Sequence, residues 1–316
     1  MKNKLTKTLI SLLALLMITA CGNTEESKED GNVNKESSTI TLTDAMGEVT
    51  IPANPERIIA TYLEDALVSL DMTPAAQWSI SGAPNAYLQD RIGDVPLIEW
   101  NLPLEQVIEA NPDLIIFSSA SAIQDGMYEE YKKVAPVYVM EDDTANDWRK
   151  QLSVVGQVTG QEKASQKVLE DYKKKASAAS DEIKASIGDD SVAAIWVTGG
   201  QYFLLEKERF AANVLYKDLD LAVPNMIQNM EPAAADGTWN PVTLEALADL
   251  DADHVFLLAS EGEAGIETLN KSAVWKKTPA ASKGQVYEVG YDGSWTVNGK
   301  IASDKVIETL KETLIQ

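Results

Sequence analysis

The chain has 316 residues, with 27 Lys and Arg against 49 Asp and Glu, one cysteine, one histidine and a formal net charge of −22. One cysteine makes no internal disulfide or thiolate cage, and one histidine makes no imidazole cluster, although an all-oxygen metal site stays open. The acid excess argues against nucleic acid, where Lys and Arg must neutralise phosphates; 45% hydrophobic residues suffice for a core, and the length suggests two domains.

Residues 1–20 read as a tripartite leader. Lys2, Lys4 and Lys7 form a basic head before the apolar run Leu9–Ala20, which is shorter than the roughly 20 residues a bilayer requires. The run ends in Ile18-Thr19-Ala20-Cys21, which resembles the bacterial lipobox, whose cysteine is lipidated and becomes the new N-terminus. The bland alternative is an ordinary signal peptide with a chance cysteine. A diacylated Cys21 fits the membrane arithmetic, because two chains anchor stably where one does not. Cleavage removes three lysines and takes the charge from −22 to −25. Residues 21–38 then read as a disordered tether, with Val33 the single apolar side chain beyond Cys21. The expectation is a soluble body held at the extracytoplasmic face of a bacterial membrane.

From Thr39 the pattern is globular. Thr39–Thr43 alternates as a strand, Asp44–Gly47 reads as a turn, and Glu48–Ile51 returns until Pro52 and Pro55 stop it. Arg57–Ala60 is a short apolar strand, and Asp65–Leu70 has helical spacing with one apolar face. Strands alternating with helices imply a parallel sheet covered on both faces.

An internal repeat sharpens this. Leu104–Phe117 aligns without gaps on Leu244–Leu257, with Leu104/Leu244, Glu105/Glu245 and Asp113/Asp253 identical. Each copy reads as a helix running through Asp into a buried strand. A weaker echo sets Leu67–Pro74 beside Leu215–Pro224. Together they suggest two similar α/β lobes, residues 39–143 and 188–316. Between them, residues 144–187 lack proline and carry helical spacing through Tyr172, Ala176, Ala179 and Ile183, which suits a stiff connecting strut.

Catalytic signatures are missing. No G-x-S-x-G elbow occurs, and His254 follows Asp253 at a strand start, the place of a structural histidine. Gly293–Lys300 misses the phosphate-loop spacing by one residue, with Ile301 where Ser or Thr should bind magnesium. Asp249–Asp253 imitates a calcium loop, but His254 stands in the place of its glycine. No catalytic residue and no protein-bound metal is assigned. A tethered extracellular hydrolase using paired carboxylates stays as the reading of another class, with a structural or signalling lipoprotein as a third.

Aromatic residues cluster instead near strand ends, where open α/β sheets bind ligands. Tyr62, Trp78, Trp100, Trp239 and Trp295 are the candidates for a shared cleft; Trp148, Trp196 and Trp275 read as core. Arg209, one of four arginines, reads either as an i,i+3 ion-pair partner of Glu206 or as an anchor for ligand oxygens.

These residues resemble the substrate-binding lipoproteins of bacterial ABC importers for ferric siderophores. The matching stretches are Thr43–Gly47 through Ile51–Ile59, Leu104-Glu105 to Asn111–Ile116, Val242–Leu247 with Asp251–Asp253, and Val274–Lys276 with Gly284–Tyr287. The resemblance implies an α/β fold of two Rossmann-like lobes joined by a single long α-helix. It implies that Glu105 and Glu245 dock onto an ABC permease dimer, whose twofold symmetry suits one carboxylate per lobe. The bland alternative is two solvated glutamates at helix starts. It also places pocket aromatics at Trp239 and Trp295, with Arg209-Phe210 beside another. Glu99 departs from the arginine that some hydroxamate binders carry there. The ligand is then a pre-formed ferric siderophore needing no cofactor, held by a monomer. A ferric catecholate, at a charge of about −3, would need clustered cations, so a neutral or cationic hydroxamate fits better. Catecholate, haem and corrinoid remain as alternatives on the same fold.

Overall fold

The computed structural model describes residues 38–124, 126–231 and 239–315, so the leader, Cys21 with its lipidation, and the tether up to residue 37 lie outside the described residues. In the N-terminal lobe, β1 (Thr39–Asp44) and β2 (Gly47–Pro52) pair as an antiparallel hairpin. Asp44 at the turn is buried, and its carboxylate accepts the N–H groups of Met46 and Val139, both at 2.8 Å, pinning the hairpin to the lobe. There follow β3 (Ile58–Ile59), β4 (Gln77–Ile80), β5 (Ala83–Pro84), β6 (Leu97–Glu99), β7 (Leu114–Phe117) and β8 (Val137–Val139). They form a parallel sheet of order β3-β7-β8 and a second sheet β5-β4-β6, in which β4 runs parallel to β6. The C-terminal lobe holds β9 (Val192–Thr198), β10 (Gln201–Leu204), β11 (Asn240–Val242), β12 (His254–Ala259) and β13 (Val286–Gly290) in one sheet of order β11-β10-β9-β12-β13. β9, β12 and β13 are mutually parallel, as the apolar runs predict, and β10 returns antiparallel on β9.

The 140-residue repeat has a structural counterpart in its aspartate and strand. Asp113 accepts the N–H groups of Glu56 and Arg57 at 2.8 and 3.0 Å, tying the start of β7 to the entry of β3. Asp253 accepts the N–H and hydroxyl of Ser191 at 3.1 and 3.0 Å, tying the start of β12 to the entry of β9. The expected helix forms only in the first copy. Leu104–Ala110 is helical and ends at Asn111, whose φ of 46° closes the helix before Pro112. The second copy makes a single tight turn, Ala246–Asp249. Its ends are held close, by pairing of Val242 with Tyr202 and by Asp251, which accepts the N–H groups of Asn225 and Met226. Its aspartates also compete with helical backbone bonds.

The strut comprises two helices. Trp148–Val158 is capped by Asp147, which accepts the N–H of Arg149 at 3.0 Å. A turn at Gly160, with φ of 70°, then starts the 26-residue helix Glu162–Ile187, about 39 Å long. Gly156 does not break its helix. A Cβ there would lie 2.4 Å from Ser165 Oγ, so glycine allows the two helices to cross closely. The long helix buries Tyr172, Ala176, Ala179 and Ile183, the face its spacing predicts.

A second connection was not legible from periodicity. The C-terminal helix Lys300–Leu314 packs on the long helix and also reaches the first helix of the N-terminal lobe, Glu64–Ser69. Asp65 caps it, accepting the N–H groups of Ile301 and Ala302 at 3.0 Å. One core therefore runs through both lobes and both connectors, including Ile58 and Leu67, Tyr172 and Ile183, Leu215 and Phe256, and Val306 and Leu310.

Candidate functional site

A cleft between the lobes contains two adjoining cavities of about 620 and 510 Å³, which share Asn146, Phe210 and Asn298 on their walls. Both volumes suit a medium-sized organic ligand. On the N-terminal side the larger cavity is walled by Tyr62 and Trp78, whose rings lie 5.2 Å apart at 54°. Tyr62 follows β3 with φ of 65°, a conformation costly for a non-glycine residue and frequent at functional sites. Phe210, on the walls of both cavities, also has a positive φ, of 49°. On the C-terminal side Trp196 stacks on Tyr291 with centroids 5.2 Å apart at 22°, and Tyr291 bonds Thr296 Oγ1 at 2.8 Å. Ser118, Ser119, Asn85 and Gln151 supply uncharged polar groups to the same cavity.

Two acids sit in its floor. Glu64 is 2% exposed, and burial pushes its carboxyl up to about 7 against the opposing bond from the Trp78 N–H at 2.8 Å. Burial also raises Asp65, despite the bonds it receives from the start of the C-terminal helix and from Tyr87. No lysine or arginine among the described residues lines this cavity. The smaller one carries Lys207 and Arg209 beside Glu206 and Glu208. Arg209 Nε lies 3.0 Å from Glu206 Oε1, so the ion pair expected from their spacing forms at the rim of the cleft.

The structure thus brings Tyr62, Trp78, Arg209 and Phe210 to the cleft and leaves three expected residues out of it. Trp239 and Trp295 are both 2% exposed. Trp239 lies edge-on behind Trp196 at 6.4 Å, and Trp295 stacks on Phe256 at 5.6 Å, so both turn inward from the strand ends to fill core. Trp100 is 44% exposed after β6 and lines neither cavity. Trp196, read as core, supplies the wall instead. The apolar strand that carries it hid it in the sequence; in the structure every residue of β9 from Val192 to Ile195 is buried and Trp196 is only partly so. The adjacent acids Glu64 and Asp65 inside an apolar segment were the signal the sequence did offer.

Glu105 and Glu245 are exposed, each at the start of its repeat segment. His254 is buried, with Nδ1 3.0 Å from Tyr287 Oη and Nε2 3.4 Å from Asp190, and burial lowers its pKa. No group of three or more His, Cys, Asp or Glu among the described residues could hold a metal ion, and no helix among them is long and apolar enough to cross a membrane.

A family model described as periplasmic binding protein matches residues 76–292. The iron(3+)-hydroxamate-binding protein FhuD of Bacillus subtilis (strain 168) is 26% identical over 317 residues, covering 98% of each chain. The protein of the same organism named probable siderophore-binding lipoprotein YfiY is 27% identical over 318 residues, covering 95% of this chain and 94% of its own. Among solved structures, an FhuD-fold periplasmic binding protein component of a Fep/Fec-like ferrichrome ABC transporter from Bacillus subtilis superposes with a TM-score of 0.69 at 24% identity. It covers 87% of this chain and 100% of its own.

Proposed function

Since the chain belongs to the periplasmic binding protein family, we propose that it captures a ferric siderophore outside the cell and delivers it to an ABC permease. A neutral or cationic ferric hydroxamate is the ligand class its cleft favours. The observation that carries this is the larger cavity, walled by the Tyr62–Trp78 and Trp196–Tyr291 pairs and lacking basic side chains among the described residues. A ligand of charge about −3 would lose hydration there with no cation to offset it, and it would face Glu64 and Asp65. Flat aromatic faces suit the apolar arms of a chelate whose iron is already saturated by its own oxygens. The name of FhuD agrees with a ferric hydroxamate cargo, and that of YfiY with a siderophore and with anchoring through a lipid, here on Cys21.

In this reading the protein performs no chemistry on its cargo. Glu105 and Glu245 meet the permease, one from each lobe; both are exposed and neither lines the cavities of the cleft. Uptake of radiolabelled ferric hydroxamate by cells carrying Glu105→Ala with Glu245→Ala tests the assignment. The double variant is expected to lose uptake while the purified protein binds ligand with unchanged affinity; retained uptake, or weakened binding, contradicts it.

A further inference from the structure

Glu64 enters the reading above only as an acid facing the cargo, yet its carboxylate also meets the backbone of both members of the N-terminal aromatic pair. It opens the helix Glu64–Ser69 directly behind Tyr62, and its side chain reaches across to β4. Its Oε1 accepts the backbone N–H of Trp78 at 2.8 Å, and the backbone amides of Glu64 itself and Tyr62 also favour its charged form. Tyr62 stands at φ of 65° and is half exposed, with its ring 5.2 Å from that of Trp78. A carboxylate has two oxygens that only accept, which allows it to serve N–H groups from two segments at once.

We propose that Glu64 is the positioning residue of this wall: its carboxylate joins the Tyr62 turn to β4 and so holds Tyr62 and Trp78 in the arrangement that receives the ligand. The statement about ligand rests on the function proposed above; the statement about the wall does not. Burial is the largest influence on Glu64 and brings its titration to about 7, so the group changes state near neutral pH. Once protonated, one of the two oxygens becomes a donor, and the bond it accepted from one of the two segments weakens. The titratable groups around it are Asp65, bonded to Ile301 and Ala302; Tyr87, bonded to Asp65; and Asp292, which bears on Tyr87 and pairs with Lys305 at 3.2 Å. Among the bonds described for these groups, none reaches Tyr62 or the Trp78 amide, so the pair should follow Glu64.

The test uses the ligand-free protein first. Near-ultraviolet circular dichroism from about pH 5.5 to about 8.5 is expected to show an aromatic band with a midpoint near 7 in the wild type. The transition should be absent in Glu64→Gln, whose amide does not titrate and replaces one acceptor oxygen with a donor group, and in Trp78→Phe, which identifies the band. If Glu64→Gln does not fold, the wild-type titration against the Trp78→Phe blank still decides. The second arm measures ferrichrome affinity. The wild type should weaken about fivefold as the acid protonates, while Glu64→Gln is weak and flat with pH. An aromatic band indifferent to pH and to the Glu64→Gln change overturns the proposal, as does a variant that keeps wild-type affinity and pH profile. A wild type that binds no ferric siderophore refutes the proposed function, and the spectroscopic arm then judges the wall by itself.

Discussion

At the scale of single residues, function and packing compete for the same side-chain types. The sequence offers seven tryptophans, and their positions relative to strands narrow the choice without showing which way each ring turns. Trp295 and Trp239 sit at strand ends as expected and still pack inward, because Phe256 and Trp196 offer aromatic faces at 5.6 and 6.4 Å. Tyr62 was legible from the short strand before it; Trp78 reaches the cleft from inside β4, not from a loop after it, and Trp196 was hidden by the apolar strand that carries it. Close approaches are invisible in sequence for a similar reason. Gly299 has an extended backbone that any residue adopts, yet a Cβ there would lie 2.2 Å from Asp65 Oδ2. Gly299→Ala is therefore expected to displace the Asp65 cap and destabilise the protein by about 1–3 kcal/mol, lowering Tm by several degrees. An unchanged melting temperature in differential scanning calorimetry would show that the cap adjusts without loss.

At the scale of elements, the repeat was readable because both lobes need the same join. Asp113 and Asp253 each begin a buried parallel strand by binding the chain that enters its neighbour. The helix preceding Asp253 was misread because periodicity reports which face is apolar, whereas the length available is set by Val242 and Asp251, both fixed by partners remote in sequence. The aspartate itself yields a signed prediction. Burial alone would raise Asp253, but the Ser191 N–H and hydroxyl and the Lys283 ammonium at 3.0 Å outweigh it and hold the carboxyl below its usual value. A depressed carboxylate contributes stability above its unfolded pKa of about 3.9 and loses it as pH falls through the folded value. Asp253→Asn should accordingly cost about 1 kcal/mol at neutral pH, with the gap to wild type closing under acid. Urea denaturation at pH 7 and at about pH 3 measures both; a gap that persists in acid would mean that the charge is not what stabilises the join.

At the scale of the whole molecule, the lobes share a core through the long helix and the C-terminal helix, an arrangement that resists large rotation of one lobe against the other. The long helix announced itself through its spacing, but the C-terminal helix reads as one more element of its own lobe until Asp65, 236 residues away, is seen to cap it. The acid excess also gains a location. Two of its carboxyls stand in a cavity lined by no lysine or arginine among the described residues, and the proposed choice of a neutral or cationic cargo rests on that lining. The central claim is that this cleft binds a ferric hydroxamate between its two aromatic pairs. Titration of tryptophan fluorescence with ferrioxamine, ferrichrome and ferric enterobactin, on the wild type and on Trp196→Phe, tests it most directly. The account predicts saturable quenching by a hydroxamate below about micromolar concentration, weaker binding of the catecholate, and lower hydroxamate affinity in Trp196→Phe. Absence of quenching by either hydroxamate in that range, or tighter binding of the catecholate, would contradict it.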